Sequence, residues 1–356
     1  MKWSACIVAI LVAGFSCKPK ERSARDENAS SEIPLKPVEP EIVFQFPTAN
    51  RELLKPGGET NFFTRTNPAR PPSSGAFGCV RNSRTRMHEG IDIAAQQRDA
   101  NGESTDPVQA SRAGKVVYIN KNVAASNYGR YVVMTHELQG LPVYTLYAHL
   151  RSVREDLKVG GLLSAGEPLG VLGRSANTRD GISKARAHLH FEIGVQFNTR
   201  FNSWFKHWYK DGNNFHGPWN GVNLAGLDAA AILRSADAGK FDFKKHLSEQ
   251  PILCRVEVFQ AELDWAERYP ELVADSGAMG SVPVLSWELS LNFNAIPVAL
   301  KPIRERRNSA GAKYRLLEVD ENVRAEHPCS GLVFKRGARW TFTSKGQRVM
   351  DLLIFR

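Results

Sequence analysis

Alternation of apolar and polar positions is sharpest over residues 187–193, where Leu189, Phe191 and Ile193 alternate with His188, His190 and Glu192. A period of two puts both histidines on one face of a strand and the apolar residues on the other. Val143, Thr145, Tyr147 and His149 alternate in the same way, which places His149 at the end of a second strand. Residues 87–93 (MHEGIDI) read as a strand, or the start of one, with His88 and Asp92 on a common side. Farther along, residues 223–228 lead into a short helix ending near Leu233. Residues 254–259, 286–293, 314–319 and 340–343 read as strands, and 261–269 and 346–353 as helices. That mixture predicts a small α+β domain at the C-terminal end.

The N-terminal pattern is different. Residues 5–15 (ACIVAILVAGF) form an apolar run of 11 after a short basic start. As a helix it rises about 16 Å, well short of the ~30 Å needed to cross a bilayer core, so a secretory signal is expected. Its end resembles a bacterial lipoprotein signal, with Cys17 as the lipidated residue, although the aliphatic residue usual three positions earlier is replaced by Gly14. Ordinary signal cleavage nearby is the alternative. Residues 18–41 hold four prolines and 11 charged residues and read as a flexible tether. Residues 42–73 form an approach segment, apolar again from Ile42 and loop-rich from Phe62.

Composition narrows the classes. A length of 356 residues suggests two globular domains plus tethering sequence. With 42% hydrophobic and 24% charged residues the chain is not disordered, and a single long apolar run excludes a polytopic membrane protein. Five cysteines are too few for a disulfide scaffold; Cys254 with Cys329 is a possible pair in an oxidising compartment. The net charge of +10 favours an anionic partner. Export removes nucleic acid from consideration, and Arg304, Arg306 and Arg307 read as a solvated loop.

The histidines carry the candidate chemistry. An imidazole and a carboxylate at His88 and Asp92 suit a borderline metal such as zinc. Each motif alone also has a bland reading: a hydrogen-bonded pair for His88 and Asp92, a satisfied polar strand face for His188 and His190, and a structural or exposed role for His149. Taken together, H-x-G-x-D (His88, Gly90, Asp92), Y-A-H-L (Tyr147 to Leu150) and H-L-H-F-E (His188 to Glu192) resemble the lysostaphin/LytM-type zinc metallopeptidases, which cleave peptidoglycan peptides. The connecting stretches 106–117, 127–133 and 159–175 are similar to that family's glycine-punctuated strands, and the likeness runs over roughly residues 74 to 197.

The resemblance implies a mainly β protein. An antiparallel β-sheet peptidase core with an open groove would occupy 74–235, followed by a small α+β domain at 236–356. It makes His88, Asp92 and His190 the ligands of one zinc ion per chain, the open three-ligand set of a catalytic site. His149 and His188 remain for acid/base work and stabilisation of the tetrahedral intermediate, with His188 favoured as general base and His149 as oxyanion stabiliser. Water activated by the zinc would be the nucleophile. Glu89 has no base role, and Glu192 either orients a histidine or faces solvent. Peptidoglycan is the implied partner, in the periplasm or cell envelope. The alternative is a catalytically silent peptidoglycan-binding regulator of other wall hydrolases. Two segments depart from the family pattern: residues 177–186, expected beside the groove, and 204–219, rich in aromatics and read as a packing plug rather than a groove wall.

Overall fold

The computed structural model of the chain describes residues 43–179, 181–274 and 282–356. The signal and tether expected over 1–41, with Cys17, lie outside the described residues. None of the described helices is long and apolar enough to cross a membrane.

The strands follow in chain order as β1 (Gly78–Arg81), β2 (Arg86–His88), β3 (Ile91–Ala94), β4 (Pro107–Gln109), β5 (Gly114–Asn120), β6 (Tyr131–Leu138) and β7 (Leu141–Ala148). After them come β8 (Ser152–Val153), β9 (Leu162–Leu163), β10 (Pro168–Val171), β11 (His188–Gln196) and β12 (Leu224–Leu227). The main sheet runs β12-β11-β7-β6-β5-β9 and every pairing in it is antiparallel. β6 and β7 are joined through Gln139 and Gly140, both at positive φ, the two-residue turn whose twist matches the strands it links.

β11 is the strand that positions the site. One edge pairs with β7, while the other is shared by β3 along residues 188–191 and β12 along 193–196. It is buried on both faces, which is why its polar positions are as enclosed as its apolar ones. Residues 87–93, expected as a strand or the start of one, are split between two strands. β2 pairs with β1, β3 pairs with β11, and Gly90 forms the corner. A Cβ at Gly90 would lie 2.4 Å from the Phe191 carbonyl oxygen, so only glycine lets this corner approach β11.

A further C-terminal β region carries helices. Strands β13 (Ile252–Val258), β14 (Ser286–Asn292), β15 (Pro297–Ile303) and β16 (Tyr314–Val319) form a sheet in the order β15-β14-β13-β16, and β17 (Val333–Arg336) pairs with β18 (Arg339–Phe342). The helix expected over 261–269 is shorter, Asp264–Arg268, with Pro270 two residues beyond its end. That expected over 346–353 begins earlier, as Ser344–Leu353, with Thr343 as its N-cap.

Residues 42–356 form one unit whose main hydrophobic core extends from Phe44 to Ile354. The segment before residue 74 supplies Phe44, Phe46, Leu53, Phe62 and Phe63 to that core. Of the aromatic stretch 204–219, Trp204 is fully buried, stacked on Phe201, and no residue of the stretch lines the histidine groove. His216 is held by the hydroxyls of Tyr118 and Tyr131 at 2.9 Å.

The cysteine pairing differs from expectation. Cys79 of β1 is bonded to Cys329, and Cys254 is a buried free thiol. Cys254 lies on β13 with its side chain in the core, whereas Cys79 and Cys329 meet across 250 positions of sequence. The bond fastens the C-terminal region to the β1–β2 hairpin that ends at His88.

Candidate active site

β2 ends at His88, β3 carries Asp92 and the middle of β11 carries His190; all three are buried. His190 and Asp92 are direct cross-strand partners. Their inner atoms make a near-equilateral triangle. His88 Nε2 is 3.1 Å from Asp92 Oδ1 and 3.1 Å from His190 Nδ1, and His190 Nδ1 is 3.1 Å from Asp92 Oδ1. The outer nitrogens are already engaged: His88 Nδ1 donates to the Ala76 carbonyl at 2.7 Å and His190 Nε2 to Glu192 Oε1 at 2.9 Å. Two imidazole lone pairs and a carboxylate oxygen therefore face one another, and three acceptors cannot satisfy each other without a positive charge between them.

A metal ion fits that requirement. Tetrahedral bonds of ~2.0–2.1 Å separate neighbouring donors by about 3.4 Å, close to the observed edges, and two nitrogens with one carboxylate oxygen are a zinc-type set. The electrostatics agree. Burial opposes ionisation of Asp92, but the surrounding imidazoles of His88, His188 and His190 outweigh it and hold the carboxyl well below its usual range. Burial also opposes a charge on His190, yet its bonds to Asp92 and Glu192 push it up to about 9. The triangle thus attracts positive charge, and Arg81 on β1 responds to it. Its Nη2 hydrogen-bonds Asp92 Oδ2 and donates to His88 Nε2 at 2.9 Å.

Glu192 is fully enclosed, so the solvent-facing alternative does not hold. Its carboxylate accepts hydrogen bonds from Tyr128 at 2.6 Å, Tyr144 at 2.7 Å and His190. Burial and the neighbouring Glu192 charge push both phenols well above 10, so they remain donors. The arrangement fixes the ring of His190 and the nitrogen it turns inward.

His188 and His149 stand beside the triangle, with ring centroids 4.9 Å apart. His188 Nε2 is 3.5 Å from Asp92 Oδ1, and its Nδ1 donates to the Arg186 carbonyl at 2.7 Å. His149 Nδ1 donates to the Ser175 carbonyl at 2.8 Å. Simple alternation would put His149 on the Tyr147 side of β7. In the structure it lies one residue past the strand at φ 61°, and this left-handed turn carries its ring to the face of His190, 5.9 Å away. Burial beside neighbouring imidazoles lowers the pKa of both His149 and His188, so both are neutral bases near pH 7.

All five residues singled out from the sequence meet in one groove of about 470 Å³. Arg81 and Tyr144 carried no motif signal, and Tyr128 entered only as part of the family-like stretch 127–133; each matters through a partner distant in sequence. The segment 177–186 does border the groove, through Thr178, Arg179, Ile182 and Arg186.

Residues 86–202 match the sequence model of Peptidase family M23. A comparison with curated proteins finds no match. Similar solved structures include Csd3 of Helicobacter pylori, at 22% identity over 43% of this chain and 30% of that one, with a TM-score of 0.26. The chain thus spans less than a third of Csd3. They also include the catalytic domain of lysostaphin from Staphylococcus simulans, at 24% identity over 33% of this chain and 74% of that one, TM-score 0.24. A zinc-containing peptidase from Vibrio cholerae is similar at 24% identity, over 38% of this chain and 37% of that one, TM-score 0.26. The matched segment holds all three ligand strands and both further histidines, so over residues 86–202 the chain resembles Peptidase family M23.

Proposed function

We propose that the protein is an exported zinc endopeptidase acting on the peptide crosslinks of peptidoglycan, held in the envelope through a lipid on Cys17. The observation that carries the reading is the triangle of His88, Asp92 and His190 with two neutral histidines beside it. A structural metal needs no such bases.

His88 Nε2, Asp92 Oδ1 and His190 Nδ1 would hold the ion, and zinc bound there supplies a Lewis acid that acidifies water and polarises a carbonyl. His188, neutral and nearest to Asp92, takes a proton from the attacking water through Nε2 and delivers it to the leaving amine. The Arg186 carbonyl keeps its Nδ1 proton in place, which fixes the basic nitrogen toward the groove. His149 has its Nδ1 proton engaged by Ser175, so Nε2 becomes a donor only on protonation. Negative charge developing on the scissile carbonyl oxygen favours uptake of a solvent proton at Nε2, and the imidazolium then stabilises the charge until that proton returns to solvent.

A second reading has one observation in its favour. Arg81 bonds two members of the triangle, which suits a silent regulator whose site is closed to metal. The test is incubation of the purified protein with peptidoglycan sacculi, with and without chelator, alongside His188→Ala and Arg81→Ala. Crosslink peptides released only with metal and only with His188 support the endopeptidase. Release by Arg81→Ala but not by the natural chain supports the regulator, and no release by any of them sinks the enzyme reading.

A further inference from the structure

The groove that holds the histidines is also lined by Arg86, Arg179 and Arg186. Arg86 and Arg179 are exposed and Arg186 is half-buried. Among the described residues none of these three forms an ion pair with an aspartate or glutamate. The fold does supply carboxylate partners to several arginines outside the groove, Arg174 with Glu103, Arg234 with Glu59, Arg268 with Asp264 and Arg315 with Glu257. Arg81 is engaged by Asp92, and the only other carboxylate among the described groove residues is the exposed Glu89.

Three guanidinium groups without a carboxylate partner among the described residues, of which Arg186 donates through Nε to the Arg65 carbonyl, repel one another on one concave surface and raise the local potential for anions. The three come from two separate segments, β2 and residues 177–186, so a peptide lying across the histidines would pass between or beside them. The planar fork of each matches a carboxylate with two parallel hydrogen bonds. Arg186 in addition feels the charges of both Asp92 and Arg81, which places it close to the metal triangle.

We infer that these arginines make the groove selective for acidic peptides, Arg86, Arg179 and Arg186 taking free carboxylates that flank the bond to be cut. Crosslinks formed through a diamino acid that keeps its own α-carboxylate fit this chemistry, and uncharged glycine bridges do not. The inference rests on the endopeptidase reading for the bond that is cut, but the binding preference exists independently of turnover.

Isothermal titration of the full zinc-loaded chain separates the two. The probes are a short alanyl-glutamyl-diamino acid-alanine peptide with free carboxylates and the same peptide with every carboxylate amidated. Three exposed arginine–carboxylate pairs favour the acidic peptide about 10-fold, and added salt weakens the preference. Arg86→Gln/Arg179→Gln/Arg186→Gln abolishes the preference and leaves the amidated peptide's affinity unchanged. Arg86→Gln/Arg179→Gln, which alters only exposed side chains, reduces it partially, so a triple variant that fails to fold does not remove the test. Equal affinity for the two peptides, including no measurable binding of either, overturns the inference, as does displacement of the acidic peptide by an equal concentration of inorganic phosphate. Sacculus cleavage with equal peptide affinities defeats the inference alone. Acidic preference without cleavage defeats the endopeptidase reading alone.

Discussion

Replacing Glu192 by glutamine isolates the support behind the metal triangle. The side chain keeps its shape and one acceptor oxygen but loses its charge in a place with no solvent exposure. Three donors converge on the natural carboxylate, from Tyr128, Tyr144 and His190. Hydrogen bonds to charged groups contribute ~1.5–3 kcal/mol and neutral ones roughly half as much. About 1–1.5 kcal/mol is therefore lost from the bond that fixes His190, roughly a tenfold change in equilibrium. Changes behind metal ligands reduce affinity by about 10–100-fold, which brackets the same figure. The assay is competition for zinc between the protein and a chromogenic chelator, with Tyr144→Phe as a control that removes one donor and leaves the charge. Glu192→Gln should bind zinc about tenfold more weakly than the natural chain, and Tyr144→Phe should lose less. Zinc affinity of Glu192→Gln within about threefold of the natural chain, in a protein that melts normally, would refute the reasoning.

Further predictions concern the rest of the fold. His136 lies in the core between the Ala113 carbonyl and the Thr145 hydroxyl, and burial lowers its pKa to about 4. The unfolded chain takes up this proton below about 6.5 and the folded one does not, so stability falls as pH drops from there toward 4, by about 3 kcal/mol. Urea midpoints across that range should fall less steeply for His136→Gln; equal slopes would contradict the assignment. Non-reducing peptide mapping should find Cys79 joined to Cys329, and Cys79→Ser/Cys329→Ser should lose about 2–5 kcal/mol of stability, whereas a Cys254–Cys329 peptide would overturn the pairing.

What the sequence disclosed followed local periodicity. The face of β11 that presents His188 and His190 could be read directly, since a strand alternates strictly and nothing interrupts it. The same rule located His149 at the end of its strand but could not tell the side from which its ring emerges, which a single non-glycine residue in left-handed conformation sets. His88 and Asp92 converge across a glycine corner rather than along one strand, so the predicted proximity holds for a different geometric reason. The role of Glu192 depended on two tyrosines from other strands and loops, and the cysteine pairing on a closure of 250 residues; neither leaves a trace in local pattern. In the C-terminal region β15 escaped notice because Pro297 and Pro302 argue against a strand, yet it forms an edge of its sheet, where proline is tolerated.

Zinc content by mass spectrometry tests the central claim most directly, measured on the purified natural chain and on His88→Ala and His190→Ala after dialysis against trace zinc. The triangle of three donors 3.1 Å apart predicts one zinc per natural chain and a large loss in both variants. Undiminished zinc in both variants would contradict it.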